Sequence, residues 1–429
     1  MKNCFLLSLA SSLLVSTFSL PVMAKSTIVI DAWRKDDAIW QQKIIPAFNK
    51  HHPEIEVIYR SADDSQPFDQ QLQSSLKNGT AGDLITCLPF DGSLKLFQQG
   101  VLKEVTEMEG IENFPSFAQA PWQTDSGAQT FCLPMASVIH GFLYNKAIFK
   151  RLGVSKPSTT DDFYRVLDKA KRAGYVPLAM GTRDKWEAAT MGFQNIGPTY
   201  WKGEDGRYGL IEGKERIDSE PYKETFRQLS RWSDYLGNGY QTRSYRDTIS
   251  LFADGKAAVY PAGSWDILTF KDKLDLGVFR PPVKRRGDAC YFSEHTDLGM
   301  GINAQSKNPE AAETFLKWMT TAEFADLLTN EISGFFSLSN HFIDVKDPIA
   351  KEMMSWRDEC DSTIRNTAQI LSRGKPSLDR QVWETSVGVL NKTMTPDTAV
   401  DTLQQGLNSW YPPQQNTQKE SAAVKCIAM

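Results

Sequence analysis

Apolar and polar positions alternate along residues 27–33, TIVIDAW, and predict a strand. Trp40, Ile44, Ile45 and Phe48 then share one helical face, and IEVIYR (55–60) returns to alternation after Pro53, completing a β-α-β unit. A second unit follows, with Phe68, Leu72 and Leu76 at four-residue spacing, Gly79 and Gly82, and the strand DLITCL at 83–88. A third helix turns Leu94 and Phe97 inward and stops at Gly100. Further strands are predicted at VPLAM (176–180), AAVYPAG (257–263) and LGVF (276–279), with a helix placing Phe226, Leu229, Trp232 and Leu236 on one face. Residues 186–213 read as loop-rich. Pro309 opens a helix burying Phe315, Leu316, Leu327 and Leu328, with a break near Thr321. Thr395 and Pro396 are the cap and first residue of a last helix that buries Val400, Leu403, Leu407 and Trp410. Strands alternating with helices of these lengths predict an α/β fold with mostly parallel sheet covered by helices.

The N-terminal residues read as a secretory signal peptide: Lys2, an apolar stretch over 6–20, and Val22-Met23-Ala24 with cleavage after Ala24. Lys25 stands where a lipid anchor would need Cys, so no such anchor is expected. Later apolar runs fall short of the roughly 20 residues a spanning helix needs. The remaining chain of about 405 residues suits two domains better than one core. Hydrophobic residues at 41% provide enough material for both. With 48 Lys+Arg against 52 Asp+Glu, net −4, no basic excess favours nucleic acid or an anionic membrane surface. Cys87, Cys132, Cys290, Cys360 and Cys426 follow the leader, an odd number whose pairing the sequence leaves open.

Three segments carry a resemblance. Residues 130–163 combine a strand, Pro134, Tyr144-Asn145-Lys146 and a Pro-Ser-Thr-Thr turn into an acidic helix start; 252–265 read FADGKAAVYPAGSW; 298–318 read LGMGINAQSKNPEAAETFLKW. In this order they resemble the extracellular solute-binding proteins of the maltose-binding type, which serve ATP-binding cassette sugar importers. The resemblance implies a periplasmic-binding-protein fold of two α/β lobes with the ligand cleft between them. By position, the chain crossings are expected near 132–134, 278–281 and 335–337. That gives an N-terminal lobe of 25–133 plus 282–334, a C-terminal lobe of 134–281 plus 335–411, and a disordered tail from 412. It also implies a periplasmic monomer that delivers a carbohydrate to a membrane permease, with a chemoreceptor as a further docking partner and no cofactor or metal.

A sugar offers apolar C–H faces and a ring of hydroxyls, so its receptor needs aromatic plates and hydrogen-bonding side chains. Ligands of open α/β sheets sit beyond the carboxyl ends of strands. Trp33 with Arg34, Asp91, and Trp265 with Asp266 occupy such ends. Each has a structural alternative: Trp33 as a packing residue, Asp91 as a turn residue, Asp266 as a helix cap, Trp265 as interlobe packing. The family counterpart of Trp265 stacks on ligand. Asp64 follows the second strand, His140 precedes Tyr144 in the first matching segment, and Trp186 stands in the middle stretch. Gly299 offers close backbone approach, and Phe336 is the cleft-lining choice of the pair at the third crossing.

Two other readings remain open. A receptor for a sugar acid or phosphorylated polyol would use Arg34, Arg183 or Arg243 for charge-assisted bonds. A secreted glycoside hydrolase would need two carboxylates about 5 to 9.5 Å apart. The nucleophile-elbow, zinc-protease and nucleotide-binding motifs are absent from the sequence.

Overall fold

The computed structural model describes residues 25–63, 67–365, 367 and 369–415. Its strands are β1 (Ser26–Ala32), β2 (Ile55–Ser61), β3 (Leu84–Cys87), β4 (Leu133–Asn145), β5 (Val176–Leu178), β6 (Ala257–Gly263), β7 (Leu276–Phe279), β8 (Tyr291–Ile302), β9 (Phe336–Ser337) and β10 (Asp361–Thr363). They run in the order β2-β1-β3-β8-β4-β6-β5, with β10 on β8 and both β7 and β9 on β4. The first three are parallel, as their β-α-β connections require, and their carboxyl ends point the same way.

The sheet serves two lobes because β4 and β8 pass from one to the other. The first part of β4 pairs with β8 as far as Ile139, and from His140 onward β4 pairs with β6. β8 starts beside β10 at Tyr291 and ends beside β3 at Ile302. The crossings therefore lie later than expected from position: the first near Ile139 rather than 132–134, and the second inside β8 rather than at 278–281. β7 remains with the second lobe, paired to Phe142–Asn145 of β4, because its apolar side chains are needed in that lobe's core. Phe336 and Ser337, at the expected third crossing, pair with Ser137 and Ala136 of β4.

Each lobe has its own cores. Ile30, Phe48, Leu84, Phe315 and Leu328 fill the first lobe, with a smaller cluster around Trp122 and Phe131. Phe142, Phe226 and Leu403, then Phe252, Tyr260 and Phe270, fill the second. Burying each of these large side chains stabilises the fold by about 1.5–3 kcal/mol. Two disulfides tie down the ends of strands. Cys87–Cys132 joins the end of β3 to the residue before β4, and Cys290–Cys360 joins the residues before β8 and β10. Each lies within one lobe, so neither locks the lobes together.

The stretch 186–213 is helical, not loop-rich, with helices at Glu187–Phe193, Pro198–Trp201 and Glu204–Glu212. Its glycines are packing positions rather than breaks: a Cβ at Gly197 or Gly206 would lie 1.9 Å or 2.2 Å from Trp201 atoms. The break near Thr321 is a cap, where Thr321 Oγ1 accepts from the Phe324 amide. Thr395 Oγ1 caps the last helix by accepting from the Thr398 amide. Residues 412–415, within the expected tail, are helical. Gln414 is buried and donates from Nε2 to the carbonyls of Leu210 and Glu215. The expected leader falls outside the described residues, and among those described no helix is long and apolar enough to cross a membrane.

Candidate functional site

The GSW turn after β6 is fixed from three sides. Ser264 Oγ accepts from the Ile139 amide at 3.0 Å and donates to the Gly334 carbonyl, linking the turn to the first and third crossings. Gly334 has φ +96°, and a Cβ there would lie 1.9 Å from the Ser264 carbonyl oxygen, so this approach requires glycine. Trp265 folds back over Gly263 and packs against cores of both lobes.

Behind the indole is a buried polar network. Trp265 Nε1 donates to Tyr245 Oη at 3.2 Å; Tyr245 in turn donates to Asp266 Oδ1, and Tyr260 donates to Asp266 Oδ2 at 2.7 Å. Asp266 therefore holds two tyrosines; it makes no side-chain cap bond to the helix that follows. Burial pushes its carboxyl up to about 6 against the stabilising hydroxyls. Trp186 completes this wall, its ring 4.8 Å from that of Tyr245.

His140 stands edge-on to Trp265 at 5.3 Å, and its Nε2 is 3.1 Å from His295 Nδ1. Arg365 Nη2 lies 2.7 Å from His295 Nε2. A guanidinium only donates, so His295 Nε2 accepts, its proton sits on Nδ1, and Nδ1–H donates to His140. Burial, then the charge of Arg365, pushes His295 down to about 4. Burial holds His140 well below the ordinary range. Both imidazoles are neutral at pH 7. Asp297 Oδ1 is 3.5 Å from His295 Nε2. Burial opposes its ionisation, but the charges of Arg365 and Arg34 help hold its carboxyl low.

The first lobe supplies the opposite wall from the end of β1. Arg34 is ion-paired with Asp36 and sits 4.1 Å over the Phe335 ring and 5.6 Å from Trp33. The Trp33 amide donates to Thr86 Oγ1, while its indole Nε1 is buried without a protein partner. Across the cleft, Arg373 of the second lobe binds both carboxylate oxygens of Asp91 and both of Asp125.

Six of the expected residues thus gather around the lobe junction: Trp33, Arg34, His140, Trp186, Trp265 and Asp266. Asp91 faces the same cleft but is joined to Arg373. Gly299 does not line it; Gly299 is paired with Cys87 and lies under Trp122, whose ring a Cβ would meet at 2.6 Å. Phe336 is buried in a second-lobe core, and Phe335 is the member of the pair that meets Arg34, because neighbouring strand residues face opposite ways. Asp64 lies outside the described residues. Sequence reading missed Tyr245, His295, Asp297 and Arg365, which distant segments bring together. It also missed Glu187, which is fully buried and pushed by that burial up to about 8. Arg243, a candidate for an anionic ligand, donates to the carbonyls of Met180, Leu236 and Asn238. Among the described residues no cluster has the make-up of a metal site.

The sequence profile of the bacterial extracellular solute-binding proteins matches residues 31–326. The chain belongs to that family. As a solute-binding protein it is 25% identical over 314 residues to the multiple sugar-binding protein of Streptococcus mutans, covering 70% of this chain and 72% of that one. Its fold is similar to that of a chitin oligosaccharide binding protein, with a TM-score of 0.71 at 21% identity over 92% of this chain and all of the other. It is also similar to RafE of Streptococcus pneumoniae in a structure with raffinose, with a TM-score of 0.71 at 18% identity over 90% of this chain and 99% of that one. The resemblance read from the sequence segments, and the two-lobed α/β fold it implied, are borne out.

Proposed function

We propose that this solute-binding protein captures a neutral mono- or oligosaccharide between its lobes in the periplasm and hands it, chemically unchanged, to the permease of an ATP-binding cassette importer. The observation that carries this reading is the Trp265 indole at the junction, packed on both lobes and held by Tyr245, with Asp297, Arg365 and Arg34 around it. An aromatic plate ringed by hydrogen-bonding groups is what a pyranose requires. The names of the relatives point the same way. Each arginine at the junction already has a carboxylate near it, Asp36 for Arg34 and Asp297 for Arg365, and Arg243 is committed to backbone carbonyls. This balance favours a neutral ligand over a sugar acid.

The protein acts as a monomeric carrier and not as a hydrolase. Both oxygens of Asp266 are already taken by tyrosines, which leaves that carboxylate without a free face for nucleophilic or base chemistry. Sugar bridging both walls favours the closed arrangement, and the closed surface is what the permease, and a chemoreceptor if one docks, would read. Titration of intrinsic tryptophan fluorescence with mono-, di- and trisaccharides tests the reading. The expected result is saturable binding near micromolar Kd, about −8 kcal/mol, with the sugar recovered intact. Release of product over many turnovers defeats it, as does the absence of any sugar binding.

A further inference from the structure

Apart from the proposed Trp265 platform, the junction contains a cavity of about 310 Å³ on the other face of β8, lined in part by Phe90, Phe117, Arg207, Tyr208, Thr296 and Gln369. That volume is at the lower end of small-molecule pockets, about 300 Å³. Phe117 is 71% exposed and Tyr208 51% exposed, and they stand on opposite lobes. Few large hydrophobic side chains are this exposed among the described residues, and two of them meet at one cavity.

The polar lining is unsatisfied in a way that points to a ligand. Arg207 is 4% exposed and engages Glu204 through Nε and Nη2, yet its Nη1 is buried without a partner. Its guanidinium lies 4.4 Å over Tyr208. Thr296, 5% exposed, has a buried Oγ1 that also lacks a partner. Buried donors and hydroxyls left unpaired destabilise the site, and a bound hydroxyl removes that cost.

The two faces of β8 communicate around its edge. On the side where β10 pairs with Tyr291 to Ser293 and β3 pairs with Gly299 to Ile302, no strand among the described residues pairs with residues 294–298. His295 and Asp297 project to one face of this open segment and Thr296 to the other.

We infer that the cavity is a second sugar subsite and that the ligand carries at least two pyranose-sized rings. One ring lies on the Trp265 indole, and the next crosses the open edge of β8. Phe117 and Tyr208 cover the apolar faces of that second ring, and Arg207 Nη1 and Thr296 Oγ1, sealed from solvent before ligand arrives, bind its hydroxyls once their side chains turn toward it. This rests on the sugar-binding reading.

The test measures affinity by calorimetry for three series: glucose, maltose and maltotriose; galactose, melibiose and raffinose; N-acetylglucosamine and its di- and trimer. In at least one series the disaccharide is expected to bind the wild type ten-fold or more tighter than the monosaccharide. In Phe117→Ala/Tyr208→Ala that ratio falls to near one, and Tyr208→Phe restores it. In Trp265→Ala every member of the series weakens. A monosaccharide that binds as tightly as its oligomers, or a ratio that survives the double substitution, overturns the subsite while leaving the sugar-binding reading standing. Absence of binding by all three series in the wild type defeats the underlying reading. Circular dichroism and melting of each variant verify the fold.

Discussion

On the second-lobe wall of the cleft, Trp265, Tyr245, Asp266 and Tyr260 satisfy one another's polar atoms within a buried network. The first-lobe wall is arranged differently. Trp33 leaves its indole N–H unpartnered, Arg34 pairs with Asp36 on its own loop, and Asp91 reaches across to Arg373 of the opposite lobe. The difference assigns roles. A platform whose supporting shell is complete before ligand arrives binds at little ordering cost, whereas side chains paired with one another can exchange those partners for a ligand as the lobes close.

Breaking the rigid wall should have the largest effect. Asp266→Ala strands two buried tyrosine hydroxyls, each costing about 1–3 kcal/mol, and should lower the urea midpoint markedly. An unchanged midpoint would mean the network is not structural. Next, Trp265→Ala should cost about 1–3 kcal/mol of sugar binding with the fold retained, and affinity within two-fold of wild type would remove Trp265 from the site.

The third prediction concerns pH. His140 and His295 have folded pKa values below the ordinary 6.5, so the folded state holds fewer protons on them than the unfolded state. Their contribution to stability is present above about pH 6.5 and is lost as pH falls through their folded values, about 4 for His295. Asp266 runs the other way: its folded value of about 6 lies above the ordinary 3.8, so its contribution is lost as pH rises and regained on acidification. Glu187, raised to about 8 from the ordinary 4.5, acts in the same direction as Asp266, so two carboxyls oppose two histidines and the wild-type slope should be small between pH 6 and 4.5. Asp266→Asn removes one opposing group, and the variant's stability should fall on acidification by about 1.4 kcal/mol per pH unit at most. Urea midpoints across this range check both slopes, and a flat profile in Asp266→Asn would contradict the neutral histidine pair.

The smallest effect belongs to the adjustable wall. Arg373 is partly exposed, so its pairing with Asp91 and Asp125 should be worth no more than about 1 kcal/mol and should weaken with salt. Small-angle scattering of the ligand-free protein should show expansion on adding salt, and Arg373→Ala should abolish that response. A salt response that persists in the variant would place the contact between lobes elsewhere.

Much of the scaffold was legible from periodicity. AAVYPAG and LGVF coincide with β6 and β7, and Thr321 and Thr395 act as caps, because alternation and capping are local properties of the chain. The helices after Trp186 were hidden because their glycines, which look like breaks in sequence, serve as contact points for Trp201. In the site, Trp33, Arg34 and Trp265 could be found from their places at strand ends. His295, Asp297 and Arg365 could not, since nothing near them in sequence marks them out.

The sequence by itself determined the α/β character and the residues at the strand ends, which follow from short-range pattern, and three of its segments carried the resemblance to the family. Only the tertiary structure decided which residues share the cleft. The point where β4 changes partners, the register that turns Phe335 rather than Phe336 toward Arg34, and the unpaired edge of β8 all depend on pairings between distant segments. One residue of register separates the two faces of a strand, so facing is a property of the assembled sheet and not of the local sequence.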